Sequence, residues 1–386
     1  MKLKRYFLEE TNFYLSFFEK QHVPSICKNI LFNNNNLTKI KKSNENKLSS
    51  KITVLNLFPN YLKLELNKNL YSKKLTHKPG LAISGIEKFK SIDEYLKTQC
   101  ESNFRKTVSR SIKRLEFCFN IQYKMFHGNI DRDECVFLMK TLYTLIKIRF
   151  TQRSGRNTII NKWDYYTELA FNNINNKTAS LYVIYNGDLP IVLSLNFHFE
   201  KLMFSAISSY DLNYSKFSLG NIDIYKQVEW CIHNNIELFD IGYGDYPYKR
   251  RWINFTYNFE TLYIAKKNSV IFQIYTFLSH SKTKLIHYLI LKKVNYWFHD
   301  TVDKIKGIDK TYVPKEYSVF DSYGHQHDGN SININEDAYF YLRKPVYDYA
   351  YTSQEHISDL KIYKSENDSN SYIIKGKKSE SGVKLN

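Results

Sequence analysis

Residues 181–199 read LYVIYNGDLPIVLSLNFHF. Two runs of aliphatic and aromatic residues flank Asn186-Gly187, a pair that tolerates positive φ and so predicts a hairpin turn. The strands run over Leu181–Tyr185 and Ile191–Phe199, and Leu202–Ser209 reads as a third. After a loop from Asp211 to Gly220 the period becomes helical: Ile224, Val228, Cys231 and Ile232 share one face of a helix over Ile222–His233. Glu237–Ile241 is then a buried strand and Thr261–Ala265 another. The order β-β-β-α-β-β carries three antiparallel strands through one helix into a neighbouring parallel strand. A sheet that changes direction in this way leaves an opening suited to a ligand. The fold class is α/β of the α+β kind, a mixed sheet flanked by helices.

Working upstream, Ser91-Ile92-Asp93-Glu94 is a capping box, in which hydroxyl and carboxylate satisfy amides at a helix start. Ile92, Leu96, Cys100, Phe104, Val108 and Ile112 recur every fourth residue with Leu115 nearby, predicting one continuous helix. Arg105, Lys106, Arg110, Lys113 and Arg114 lie off that stripe, as a solvated basic face or as a surface turned toward an anion. A second helix starts near Asp131, buries Val136, Phe137, Leu142, Leu145 and Ile146, and ends near Arg149; a third covers about Lys162 to Asn172. The first ninety residues are loosely specified, with strands over Ile52–Phe58 and Tyr61–Leu66 around Pro59-Asn60.

Downstream of Lys267, Ile271, Ile274, Tyr275, Leu278, Leu285, Ile286, Leu289, Ile290, Val294 and Trp297 fall among Lys282, Lys284, Lys292 and Lys293. This helical stretch either packs on the preceding domain or lies on a membrane surface. From about Asp309 the chain is polar with scattered aromatics, and beyond Ser365 it reads as mobile.

Composition sets the outer bounds. The 386 residues suit two modest domains and an extension, and 43% hydrophobic residues supply a core. A net charge of +18 favours anionic partners, although Lys, Asn, Ile and Tyr are also what AT-rich genomes encode. Cys27, Cys100, Cys118, Cys135 and Cys231 are scattered without CxxC spacing, which argues against a zinc knuckle or disulfide framework and for a reducing cytoplasm. Glu9 and Glu10 follow the basic start with no apolar run, so no signal peptide is expected, and no stretch has the length of a membrane span. His325-Gln326-His327-Asp328 lies in the polar tail without partner cysteines, and no metal is expected there. Walker, GxSxG and HExxH motifs are missing from the sequence.

Two loops carry the chemistry. In the first, Tyr210 to Gly220, backbone amides at Ser218, Leu219, Gly220 and Asn221 stand at a helix start, where unpaired amides and the helix dipole hold phosphate. An ordinary N-cap at Ser218 would look the same in sequence. The second loop, Phe239 to Trp252, leaves the C-terminal end of the buried strand, and beyond Ile241 it carries two glycines, an acid, three tyrosines and three cations. A plain turn does not need that set.

The segment from Leu181 to Trp252 resembles the acetyltransferase domain of the GNAT superfamily, in the branch related to FemAB peptidyltransferases and CelD-type (BioF2-like) proteins. The residues that carry the likeness are Tyr214, Ser218-Leu219-Gly220, Asp240-Ile241-Gly242, Gly244-Asp245, Tyr248-Lys249 and Trp252, with the upstream helix ending Ser111-Ile112-Lys113-Arg114-Leu115-Glu116. Leu219 departs from the branch, which places proline there. The resemblance implies a tandem pair of GNAT-like halves: residues 1–120 with the basic helix 91–116, and residues 121–267 as the acyltransferase domain. A basic helical extension, 268–308, and the polar tail, 309–386, follow.

The same resemblance implies acyl transfer from acyl-CoA, in the first instance acetyl-CoA, to an amine such as an amino sugar in surface-polysaccharide synthesis. A FemAB-like transfer from aminoacyl-tRNA onto a cell-wall precursor is an alternative, and a non-catalytic protein binding anions or a membrane surface is another. No DNA partner is implied. In this scheme Asp245 accepts the amine proton or anchors the amine, Tyr248 protonates the leaving thiolate, and His198 and Glu200 are secondary bases. Ser218, Leu219, Gly220, Asn221, Lys249 and Arg250 bind the donor. Each side chain also has a structural reading: turn-capping for Asp245, packing for Tyr248, a solvated loop for Lys249 and Arg250.

Overall fold

The computed structural model describes residues 8–38, 41–42, 52–153, 160–244, 247–291, 316–322, 327–366 and 368–385. In chain order the first elements are β1 (Leu8–Asn12), α1 (Phe13–Lys20), β2 (His22–Val23), β3 (Cys27–Phe32), β4 (Asn35–Asn36), β5 (Lys41–Lys42), β6 (Ile52–Pro59), β7 (Leu62–Leu66) and β8 (Leu70–Ser84). Next come α2 (Ile92–Gln99), α3 (Ser102–Cys118), β9 (Ile121–Phe126), α4 (Arg132–Arg153), α5 (Trp163–Asn175), β10 (Ala179–Asn186), β11 (Leu189–Phe199), β12 (Leu202–Tyr210) and α6 (Leu219–His233). The remainder is β13 (Leu238–Tyr243), α7 (Pro247–Arg250), β14 (Phe255–Lys266), α8 (Val270–Leu291), β15 (Tyr317–Phe320), β16 (His327–Ser331), α9 (Arg343–Ser353), β17 (Lys361–Ser365), β18 (Ser371–Lys375) and β19 (Glu380–Leu385). The fold is mixed α/β, with a large mixed sheet flanked by helices.

Contacts divide the chain into two compact units that interleave in sequence. The first takes residues 1–85, 197–204 and 236–309; the second takes 86–196, 205–235 and 310–386. The boundaries expected from the sequence lie instead at 120, 267 and 308. The interleaving follows from strand pairing: β13 returns to lie antiparallel to β8, Leu238 opposite Ser84 and Asp240 opposite Ala82.

In the first unit the strand order is β1-β6-β14-β8-β13. β1 runs parallel to β6, and β14 pairs antiparallel with both β6 and β8. Residues Leu202–Phe204 of β12 pair parallel with Leu238–Asp240, and that ladder has three residue pairs. Asn12 caps α1 by accepting from the Leu15 amide at 3.2 Å, and α1 ends at Gln21, whose φ of 58° is left-handed. The buried face of α1 is aromatic. Phe17 stacks on Phe199 at 4.2 Å between centroids, Phe13 meets Phe58 at 4.7 Å, and Tyr14 sets its ring edge-on to Phe204 and Phe259.

The second unit holds β9, β10, β11 and the rest of β12 in adjacent order. The hairpin forms at the expected place with a shifted turn: Asn186 closes β10 and its side chain donates to the Tyr214 hydroxyl at 2.9 Å, while Gly187 takes the positive φ of 57°. The capping box also forms, Ser91 Oγ accepting from the Glu94 amide at 3.2 Å. The single helix expected after it breaks into α2 and α3, because Cys100 and Glu101 are extended. The apolar stripe survives the break: Ile92, Leu96, Cys100, Phe104, Val108 and Leu115 are all buried.

In α4 the buried stripe is Cys135, Leu138, Met139, Leu142 and Ile146; Val136 and Phe137, expected inside, are exposed. The buried set keeps i, i+3, i+4, i+7 spacing, which Val136 and Phe137 break by one residue. The expectation of a polar, partly mobile tail over 309–386 is corrected as well. Its described residues form α9 and a five-stranded sheet, β15-β19-β18-β17-β16. The scattered apolar residues converge: Val346, Tyr347, Ala350, Ile362, Ile374, Val383 and Leu385 join one core with Phe119, Tyr214 and Phe217. No described helix is long and apolar enough to cross a membrane.

Candidate functional site

The first of the two loops lies wholly in the second unit. After β12, residues Leu212–Phe217 form a short 3-10 turn, and Asp211 caps it by accepting from the Asn213 amide at 2.9 Å. Tyr214, Phe217 and Leu219 are buried. Tyr214 lies 4.6 Å from the Tyr347 ring of α9, and Phe217 sets edge-on to Tyr351 at 5.0 Å. Lys344 Nζ ties the loop further, donating to Ser215 Oγ at 3.1 Å. Aromatic packing against α9 therefore anchors the loop.

Ser218 has φ 57° and ψ 42°, so it ends the 3-10 turn in the left-handed region and lets α6 start at Leu219 in a new direction. Of the four amides predicted to cradle phosphate, Ser218 N is committed to Ser215 O at 3.4 Å and Asn221 N to Ser218 O at 2.8 Å. Leu219 and Gly220 have no such backbone acceptor among the described residues. These two N–H groups, at the positive end of a fifteen-residue helix, are what the loop offers to an anion.

The same unit carries a buried polar patch that the sequence reading missed. Asp223 of α6 accepts from Ser194 Oγ at 2.9 and 3.0 Å and from Gln227 Nε2 at 2.8 Å. Tyr182 Oη, Asn196 Oδ1, Ser209 Oγ and Gln227 Oε1 are buried without a hydrogen-bond partner among the described residues. Burial, then the Asp223 charge, holds the Tyr182 phenol well above its ordinary value. The available signal was the polar interruption of β11, where Ser194 and Asn196 alternate with Leu193, Leu195 and Phe197.

The second loop lies in the first unit and is organised around Asp240, a residue that carries the family likeness in sequence but is assigned no role there. Its carboxylate is fully buried in β13. Tyr14 Oη donates to Oδ2 at 2.5 Å, Tyr61 Oη to Oδ2 at 2.8 Å, Tyr257 Oη to either oxygen at 2.7 Å, and the Gly242 amide to Oδ1 at 2.8 Å. Desolvation pushes the Asp240 carboxyl above the usual carboxylate range, and these hydrogen bonds pull it back part of the way. All three phenols are held well above their ordinary value, by burial first and then by the Asp240 charge. They stay neutral donors. The chain leaves this anchor through Gly242, whose φ of 74° suits glycine, and Gly244, with φ 121°.

Asp245 lies outside the described residues. Tyr248 is half-buried in α7, and Arg250 is exposed. Lys249, expected at donor phosphates, folds back so that Nζ donates to Ile241 O at 2.7 Å. Trp252 is buried and closes the turn through its amide to Lys249 O at 3.0 Å. His198 is buried in β11, and its carbonyl accepts from Gln21 Nε2 at 2.9 Å. Glu200 accepts from the amide and hydroxyl of Thr38 at 2.5 and 3.1 Å. His198, Tyr248, Lys249 and Arg250 thus share one unit, and Ser218–Asn221 belong to the other.

All five cysteines are buried as thiols, and burial raises Cys100, Cys118 and Cys135 to about 11. No group of three metal-ligating side chains occurs among the described residues, and the side chains of His325, His327 and Asp328 lie outside them.

No curated protein matches the chain. Among solved structures, a conserved protein of unknown function from Bacteroides thetaiotaomicron is 8% identical over 56% of this chain and 70% of its own, with a TM-score of 0.38. FemX is 12% identical, with 52% of this chain and 64% of FemX covered and a TM-score of 0.38. A C-terminal DUF2156 domain assigned to lysylphosphatidylglycerol synthetase from Agrobacterium fabrum is 10% identical over 60% of this chain and 72% of that domain, with a TM-score of 0.37. Residues 102–250, from the start of α3 to the end of α7, match the acetyltransferase (GNAT) domain family.

Proposed function

We propose that the protein is an N-acyltransferase that moves an acyl group from acyl-CoA to the amine of an amino sugar or a related surface-polysaccharide precursor in the cytoplasm. The observation that carries this reading is the acetyltransferase-domain match over residues 102–250. The uncommitted amides of Leu219 and Gly220 at the start of α6 support it, because they suit a phosphate-bearing donor. The thioester supplies an activated carbonyl. The amine nitrogen attacks as the neutral base, a C–N bond forms, and the C–S bond breaks. Asp245 takes the amine proton, with His198 as the secondary base, and Tyr248 returns a proton to the thiolate. Arg250 meets donor phosphates from its exposed position on α7. Lys249, engaged with Ile241 O, positions that turn.

A second reading has one observation in its favour. Arg105, Lys106, Arg110, Lys113 and Arg114 of α3 line an open groove of about 690 Å³ with Ser109, Phe117 and Gln354. None of the five cations is in an ion pair among the described residues. Such a face suits a polyphosphate backbone, and so an aminoacyl-tRNA donor.

A thermal-shift screen with acetyl-CoA, longer acyl-CoAs and aminoacyl-tRNA separates the two, since the true donor raises the melting temperature. Acyl-CoA is expected to do so. Stabilisation by aminoacyl-tRNA alone, with an affinity falling by a log–log salt slope of about −3 to −5, would transfer the assignment to the second reading. No response to any donor, together with no acyl transfer, would leave a non-catalytic anion-binding protein.

A further inference from the structure

Helix α8 turns its more apolar side to solvent. Phe272 and Thr276 are buried, with Tyr275 and Ser279 beside them, and Phe272 packs into a cluster with Ile52, Val54, Tyr263 and Ala265. Val270, Ile271, Ile274, Phe277 and Leu278 are 57 to 71% exposed. At 3.6 residues per turn these five fall within an arc of about 120°, opposite Phe272 and Thr276. A solvated helix face normally carries charge, and a contiguous apolar stripe of this kind marks an interaction surface.

The charge around the stripe indicates what covers it. Between Glu260 and Asp300 the sequence has no acidic residue and has six lysines: Lys266, Lys267, Lys282, Lys284, Lys292 and Lys293. Lys266 and Lys267 are exposed just before α8, and Lys282 is exposed on it. An apolar stripe on a lysine-bearing segment with no carboxylates of its own is complementary to a bilayer surface with anionic headgroups. The apolar side chains enter the acyl boundary, and the ammonium groups remain at the phosphates. A second copy of the chain, itself at +18, would set lysine against lysine at the same face.

We propose that α8 is an interfacial helix that docks the protein on an anionic phospholipid surface. Val270, Ile271, Ile274, Phe277 and Leu278 insert, and Lys266, Lys267 and Lys282 engage headgroup phosphates. The inference is independent of the acyl-transfer reading.

The test is flotation of the full-length protein with vesicles of phosphatidylglycerol and phosphatidylcholine, and with phosphatidylcholine alone, at low and high salt. The protein should float with the anionic vesicles and lose most of that binding at high salt. Ile274→Ser/Phe277→Ser/Leu278→Ser and, separately, Lys266→Glu/Lys267→Glu/Lys282→Glu should each lower the bound fraction by about tenfold or more. Both sets change exposed side chains, so an unchanged melting temperature is expected to accompany the loss. Failure of the unaltered protein to float with anionic vesicles would overturn the proposal. So would equal flotation of the serine variant, or a serine variant whose only change is dissociation of a dimer, which would assign the stripe to a second copy.

Discussion

The two glycine-bearing loops end neighbouring stages of the same β-β-β-α-β progression, yet they are built in opposite ways. The loop before α6 is closed over its side chains: Tyr214, Phe217 and Leu219 are buried, α9 covers them, and backbone amides are what it can offer. The loop after β13 is fixed at one buried point, Asp240, and then opens outward. Tyr243, the residue after the glycine whose amide donates to Asp240, is 61% exposed. A loop that works through its backbone tolerates side-chain replacement at the surface and depends on packing. A loop that works through side chains depends on which groups it carries.

The largest contrast expected is in activity. Asp245→Asn should lower kcat by about 10²- to 10⁴-fold with the melting temperature unchanged, because it removes a proton acceptor. Ser218→Gly should leave the KM for acyl-CoA within about threefold and raise stability by up to about 1 kcal/mol, since it relieves a left-handed serine and keeps the amide. Equal kinetic effects from the two would break the comparison. In denaturant titration Phe217→Ala should cost about 3–5 kcal/mol, and Tyr243→Ser should stay within about 0.5 kcal/mol. A similar cost at both would mean that the second loop is packed as well.

Asp240→Leu should destabilise by roughly 2–4 kcal/mol, because three phenol donors lose a buried acceptor. Asp240→Asn sharpens the same point through pH. The Asp240 carboxyl is raised by burial, so the native state holds its proton more tightly than the unfolded chain. Its contribution to stability is complete below the ordinary Asp value and declines as pH rises through the raised one. Stability of the parent minus that of Asp240→Asn should therefore grow as pH falls from neutral. A difference that shrinks instead would show that the hydrogen bonds outweigh desolvation.

What could be read in advance follows from how local each signal is. The hairpin, α6 and the Ser91 cap depend on residues a few positions apart, and the structure places them within a residue or three of expectation. Asp240 could be seen as a charge within an apolar strand. Its partners could not be foreseen, because Tyr14 and Tyr61 stand 226 and 179 residues away in the chain. The same reason hides the core of the tail: short apolar runs such as Val346-Tyr347 and Tyr372-Ile373-Ile374 stand far apart among polar residues and become a core only when five strands and α9 gather them. In α8 the pattern showed a helix but not which side would be covered, since Thr276 and Ser279 take the inner positions and Ile274 and Phe277 the outer ones.

Amide hydrogen exchange of the full-length protein, with and without acetyl-CoA, tests the central claim most directly. Protection should rise at Leu219 and Gly220 at the head of α6 and remain unchanged along the five-stranded sheet of β15 to β19. If acetyl-CoA leaves the exchange of those two amides unaltered while they remain exchangeable, the donor is not bound there and the acyl-transfer account fails.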